Sequence, residues 1–173
     1  GTPRTDGKTK TVTETRVLKD QPYIDLIPVE NLLLDPACDW RDPVNSSPYV
    51  IYLKPMAVTD ITHMMEKGEW NTHSEQALLS ASKNTYNSVR QARDGDNRPD
   101  AHDSQSRSEF KSVWIHYNFV RQNGVEMFYL TVGTELMLTD PKPLEEEYPT
   151  GVRPFTYGFS VIEAHKFAPN SPT

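Results

Sequence analysis

Cysteine, basic runs and long apolar stretches are what this chain of 173 residues has least of. Cys38 is the only cysteine, which excludes an intramolecular disulfide framework and a multi-cysteine zinc cluster. No stretch approaches the roughly 18 consecutive apolar residues of a membrane-spanning helix, so no membrane partner is expected. Lys and Arg number 18 against 24 Asp and Glu, a net charge of −6 with pI ≈ 5.3. A sequence-reading nucleic-acid module draws most of its affinity from phosphate neutralisation, so that class is disfavoured. No signal peptide is visible, and the chain begins Gly1-Thr2-Pro3 without a methionine. It reads as a fragment, a tagged product or a processed one.

Catalytic patterns are missing in the same way. The eight glycines form neither GxGxxG nor GxxxxGK[ST], so nothing cradles a phosphate. His63, His73, His102, His116 and His165 include no pair four residues apart, and HExxH is absent; they read as scattered histidines rather than metal ligands. Gly158-Phe159-Ser160-Val161-Ile162 starts like a nucleophile elbow but carries Ile162 where the second glycine belongs. Cys38, beside Asp39, has no histidine within ten residues to lower its thiol pKa, and reads as a buried or incidental cysteine. Glu145, Glu146 and Glu147 are consecutive, so they diverge instead of pairing. Asn45-Ser46-Ser47 matches a glycosylation sequon, but without a secretory signal it reads as chance. No catalytic, cofactor-binding or metal-ligating residue is assigned, no cofactor is expected, and no enzyme is visible.

What the chain does have is proline, fourteen residues of it, which suits extended strands and ordered turns. Hydrophobic content is 36% and mean hydropathy −0.66, low enough that part of the chain is expected to be loose. The length fits one domain at roughly 100–200 residues each. We read disordered ends at 1–10 and 168–173, and one α+β domain over 11–167 interrupted by an insertion at 94–112. Within that insertion the run Asp94–Ser108 holds one alanine as its only apolar residue, so burial cannot offset its ordering entropy.

The domain reads as a small antiparallel sheet or meander, or a partly open barrel, with two helices at about 59–68 and 72–94. Thr11–Leu18 alternates as an edge strand. Tyr23–Val29 alternates too, with Pro28 ending it or holding it to an edge. Asp35-Pro36 and Asp42-Pro43 favour turns, and Tyr49–Lys54 is a strand bracketed by Pro48 and Pro55. Thr59 can cap the first helix, on which Ile61, Met64 and Met65 share a face and which Gly68 stops. Thr72 with Glu75 forms a capping box for the second, whose stripe is Leu78, Leu79, Ser82, Tyr86 and Val89.

The sharpest local signal is a hairpin, Val113–Arg121 and Val125–Val132 around Asn123-Gly124, a pair suited to the positive φ of a type I′ turn. Pairing outward sets Arg121 opposite Glu126, Phe119 opposite Phe128, Tyr117 opposite Leu130 and Ile115 opposite Val132. An ion pair and three apolar pairs then share one face, with His116 on the more polar one, and a one-residue slip would scatter them. Gly133-Thr134 turns into a third strand, Glu135–Leu138. A proline-broken acidic loop follows at Asp140–Pro149, then a last strand at Tyr157–Ile162. Trp40, Trp70, Trp114 and the hairpin aromatics could stack single-stranded bases. No cluster of Lys and Arg flanks them, and Tyr117, Phe119 and Phe128 are wanted for the core.

An ordered set of short segments carries a resemblance. Ile27-Pro28-Val29-Glu30-Asn31-Leu32-Leu33-Leu34-Asp35-Pro36, then Ser47-Pro48-Tyr49-Val50, then Met56 before Thr59-Asp60, resembles the portal proteins of tailed bacteriophages, particularly the short-tailed kind. Trp114-Ile115-His116-Tyr117, Gly124, Glu135–Leu138, Pro141-Lys142-Pro143 and Arg153-Pro154-Phe155 keep the family's order and spacing. The match runs from about Tyr23 to Phe167, and the insertion departs from it.

The resemblance implies the β-rich wing of the subunit, without the stem and clip that line the DNA channel. It gives Pro28, Glu30, Asn31, Asp35, Pro36, Tyr49, Trp114, His116, Pro141, Pro143 and Pro154 structural roles. It further implies a homo-oligomeric ring, usually of twelve subunits, at a capsid vertex of the virion, made in the host cytoplasm. That ring docks terminase and tail or adaptor proteins and passes double-stranded DNA without reading it. Two other classes stay open, a small non-enzymatic protein-binding adaptor and a divergent metal-dependent hydrolase. Pull-down with light scattering would reveal the first, and elemental analysis for bound metal the second.

Overall fold

Asn123 and Gly124 adopt φ of 51° and 81°, the paired positive values a two-residue type I′ turn needs, and the longest strands fold back on each other there. The computed structural model describes residues 23–82 and 111–158. Strands β1 (Leu32–Leu34), β2 (Tyr49–Ala57), β3 (Ser112–Gln122), β4 (Val125–Val132), β5 (Leu136–Met137) and β6 (Lys142–Pro143) form one antiparallel sheet. Their order is β1-β2-β3-β4-β5, with β6 also on β4. The sheet is open, not closed into a barrel. Four helices accompany it among the described residues: α1 (Pro43–Ser46), α2 (Val58–Glu66), α3 (Glu75–Ser82) and α4 (Leu144–Glu147).

The hairpin register is Arg121 with Glu126, Phe119 with Phe128, Tyr117 with Leu130 and Ile115 with Val132. Beside it, β2 sets Val50 against Phe119, Tyr52 against Tyr117 and Met56 against Val113, so one face is apolar across three strands. That face joins Val44 of α1, Val58, Ile61 and Met65 of α2, Leu78 of α3 and Leu144 of α4 in one continuous core. On the opposite face Leu53, Asn118 and Thr131 are also buried.

Several local expectations change. Tyr23–Pro28 is irregular, and Val29–Asn31 is a single 3-10 turn; the alternation is there, but no described strand lies beside it. Lys54 does not end β2, which continues through Pro55 to Ala57. Arg121 N donates to Pro48 O and Val58 N to Lys111 O, so even positions of β2 turn their backbone groups to β3 and odd positions turn away. β1 pairs only with Val50–Tyr52; the missing N–H of Pro55 therefore falls on an edge where it interrupts nothing.

Helix α2 starts at Val58 with Ala57 at its N-cap, so Thr59 is inside it and caps nothing. Its end is as expected. Gly68, at φ 75°, donates to Met65 O, and Glu69 N donates to Met64 O, the doubly bonded stop that favours glycine. Thr72 and Glu75 form no capping box. Ser74 does the capping, accepting from Ala77 N at 3.3 Å, while the His73 ring is bound to Met137 O at 2.7 Å.

Glu135 and Leu138 are outside the short β5. Lys111 and Ser112 are not insertion, since Ser112 opens β3. The acidic run is one helical turn, α4, with its carboxylates in the first turn, where the helix dipole favours them. Tyr157 and Gly158 are irregular. The strand expected at Thr11–Leu18, the helix beyond Ser82, the insertion up to Phe110, residues 159–162 of the last strand and both chain ends lie outside the described residues.

Candidate functional site

Three of the stretches behind the resemblance meet at one corner, built around Ser47, Glu126 and Arg153. Asp42 accepts from Asn45 N and opens α1, a helix of one turn whose last carbonyls lack internal partners. Arg153, carried in by the loop after α4, supplies donors for them. Its Nη1 reaches Val44 O at 2.6 Å and Ser47 O at 2.8 Å, and its Nη2 reaches Pro48 O at 3.4 Å. Nε and Nη2 both donate to Glu126 Oε2, at 3.0 and 2.9 Å. All five guanidinium N–H groups are thereby used.

The other Glu126 oxygen accepts from Arg121 Nε at 2.8 Å, and Arg121 Nη2 donates to Asn45 O at 3.0 Å. Ser47, fully buried, accepts from Asp35 N at 3.0 Å through its hydroxyl and donates that hydroxyl to Tyr49 O. Asp35 closes its own turn by accepting from Ala37 N at 2.9 Å. The buried Arg153 cation thus has its carboxylate and its carbonyls, and every one of its N–H groups is spent on them.

Against this corner lies an aromatic layer. Phe119 has the rings of Phe128 and Phe155 at 5.0 Å and Tyr148 at 6.0 Å, and Tyr52 stacks near Tyr117 at 5.7 Å and Phe155 at 6.1 Å. Burial raises the Tyr117 phenol above its ordinary value, with Tyr148, Tyr52 and Glu147 adding to the effect. Tyr148 is raised by burial and by Glu147, and Tyr52 by burial and by Asp25. Burial and the neighbouring Cys38 raise Tyr157. These phenols stay protonated at neutral pH and act as packing groups with a polar tip.

The positions singled out by sequence divide between the two faces. Asp35 and Tyr49 belong to the corner. Asn31 is buried beside it in sequence, Glu30 is half-buried, and Pro28, Pro36 and Pro154 are exposed turn residues. Pro141 is exposed, and Pro143 ends β6 opposite Met127. Ile115, Tyr117, Phe119, Phe128, Leu130 and Val132 line the inner face. Trp114 and His116 are on the other one, where Asn118 Nδ2 donates to Thr131 Oγ1 at 3.1 Å and to His116 O at 3.1 Å.

Sequence reasoning missed Arg153, Ser47 and Asn118 as buried polar hubs. Arg153 is 106 and 109 residues from the carbonyls of Ser47 and Val44 it serves, so no local pattern announces it. Among the described residues no group of three His, Cys, Asp or Glu is placed to hold a metal, and no buried side-chain nitrogen or oxygen lacks a partner. His63 is on α2, His73 precedes α3 and His116 is on β3; His102 and His165 lie outside the described residues. No protein-family model, curated protein or solved structure matches the chain.

Proposed function

We propose that this chain is a structural piece of a ring-forming viral subunit, the wing of a portal protein of a short-tailed bacteriophage, and not an enzyme. The observation that carries the reading is the corner. Asp35, the Ser47–Tyr49 stretch and Arg153, drawn from segments that resemble that family, are joined by a closed set of hydrogen bonds. A residue set kept for chemistry would leave groups free to meet a substrate; this set spends its groups on holding loops in place. An acidic surface suits a part that stands near packaged DNA and must not adhere to it.

On this reading the parent subunit assembles into a homo-oligomeric ring at the capsid vertex, meets terminase and tail proteins, and lets duplex DNA through without reading it. Negative-stain electron microscopy of the full-length parent tests it. Closed rings are expected, and a monodisperse monomer at every concentration would overturn it. The 173-residue chain should show no binding to duplex DNA at physiological salt by anisotropy titration; micromolar affinity would count against the assignment.

A further inference from the structure

The segment leading into the sheet is irregular, and its apolar side chains are exposed. Tyr23, Ile24 and Leu26 are 81, 94 and 93% exposed, whereas Ile27 next to them packs on the core. Tyr23–Leu26 makes no backbone hydrogen bond to any described residue. Continuing the β1–β2 register would bring residues 23–26 opposite residues 58–61, which are already helix α2. Among the described residues, therefore, no sheet edge in line with β1 is open to this arm.

An edge of matching length exists on the same molecule. β1 covers only Val50–Tyr52, leaving the outer side of β2 from Leu53 to Ala57 without a described partner strand. The outward backbone groups there belong to the odd positions, with Pro55 contributing a carbonyl alone. Lys54 is exposed and makes no ion pair among the described residues.

We infer that the arm Tyr23–Leu26 of one copy adds antiparallel to the open edge of β2 in a second copy, with Asp25 opposite Lys54. That register sets Leu26 beside Leu53, Ile24 beside Pro55 and Tyr23 beside Met56, and joins the two charges across the pair. Leu26 and Leu53 exchange two backbone hydrogen bonds and Ile24 N–H donates to Pro55 O, so the proline costs one bond only. Adding a strand in this way supplies main-chain affinity while the alternate side chains select the partner. Pro55 and the short length keep the edge from accepting unlimited strands. Because the arm and the edge are different surfaces, the contact is head-to-tail and closes into a ring if the rotation allows. The choice of a second copy as partner rests on the ring reading above.

The test uses the 173-residue chain in a Cys38→Ser background, mixing an Asp25→Cys variant with a Lys54→Cys variant under mild oxidation. Residues 25 and 54 would form a non-hydrogen-bonded antiparallel pair, with Cα atoms about 4.5 Å apart, within the span a disulfide bridges. The mixed dimer should form at least about tenfold faster than one between Asp25→Cys and a Glu146→Cys control, because docking raises the local thiol concentration. Adding Ile24→Asp and Leu26→Asp to the arm should abolish that advantage. Equal rates with the control, or a dominant Asp25→Cys homodimer, would overturn the proposal. Mixed trapping from a parent that forms no rings would remove the ring reading and keep the arm; rings from a parent that shows no trapping would do the reverse.

Discussion

The two edges of the sheet are finished to different degrees. Along β4, β5 pairs with Thr131 and Val132 and β6 with Met127 and Phe128. Between them Leu130 N donates to Thr139 Oγ1 and Leu130 O accepts from Leu138 N. The loop after α4 then returns and locks to Glu126 through Arg153. Along β2, by contrast, three residues of β1 are followed by a stretch with no described partner strand, and the side chains of Tyr23, Ile24 and Leu26 are exposed. Among the described residues one edge is sealed by four separate devices and the other carries only β1, the contrast from which the docking of a second copy was inferred.

The largest effect should come from cutting the lock on the sealed side. Arg153→Ala leaves Glu126 with Arg121 alone and takes the donor from the Val44 and Ser47 carbonyls, a loss of about 3–5 kcal/mol for breaking a buried pair. Urea unfolding measures it, and Arg153→Lys, which keeps the charge but loses the fork, should recover only part. Next comes Gly133→Ala at the β4–β5 turn. Gly133 has φ 62°, and an added Cβ would lie 2.4 Å from Ala81 O of α3; left-handed strain plus a forced shift of the helix should cost roughly 2–4 kcal/mol.

Alkaline pH probes the same side more gently. The Tyr117 and Tyr148 phenols are raised in the folded protein, so above pH about 10 the unfolded chain releases protons that the folded one retains. Their contribution is complete below that pH and is lost as pH rises through the folded values. Tyr117→Phe should flatten the alkaline fall in the urea midpoint. The open side should respond least: Ile24→Asp with Leu26→Asp should change the stability of the monomer by less than about 0.5 kcal/mol, as expected for residues more than nine-tenths exposed.

The sealed side was also the more legible one in sequence. Asn123-Gly124 and the period-two pattern from Ile115 to Val132 determine a register that one slip would ruin, so the hairpin and its core face could be read from the residues alone. Local rules failed where the outcome depended on what lay alongside. Tyr23–Leu26 alternates like a strand but has no described neighbour to pair with. Pro55 reads as a terminator, yet it sits where an N–H is not needed. Thr72 and Glu75 have the spacing of a capping box, but Ser74 is at the first turn. Of the Arg153 corner only the Arg121–Glu126 pair was legible, because the bonds of Arg153 to Val44, Ser47 and Pro48 join residues more than a hundred positions apart.

Hydrogen exchange by mass spectrometry on the full-length parent, compared between its free subunit and its assembled form, tests the contrast between the edges most directly. The account predicts that amides of Tyr23–Leu26 exchange at unprotected rates in the free subunit and slow at least about a hundredfold on assembly, equivalent to about 2.7 kcal/mol, while β4 amides are slow in both. Unchanged, fast exchange of the arm in an assembled ring, or protection of the arm in the free subunit, would contradict it.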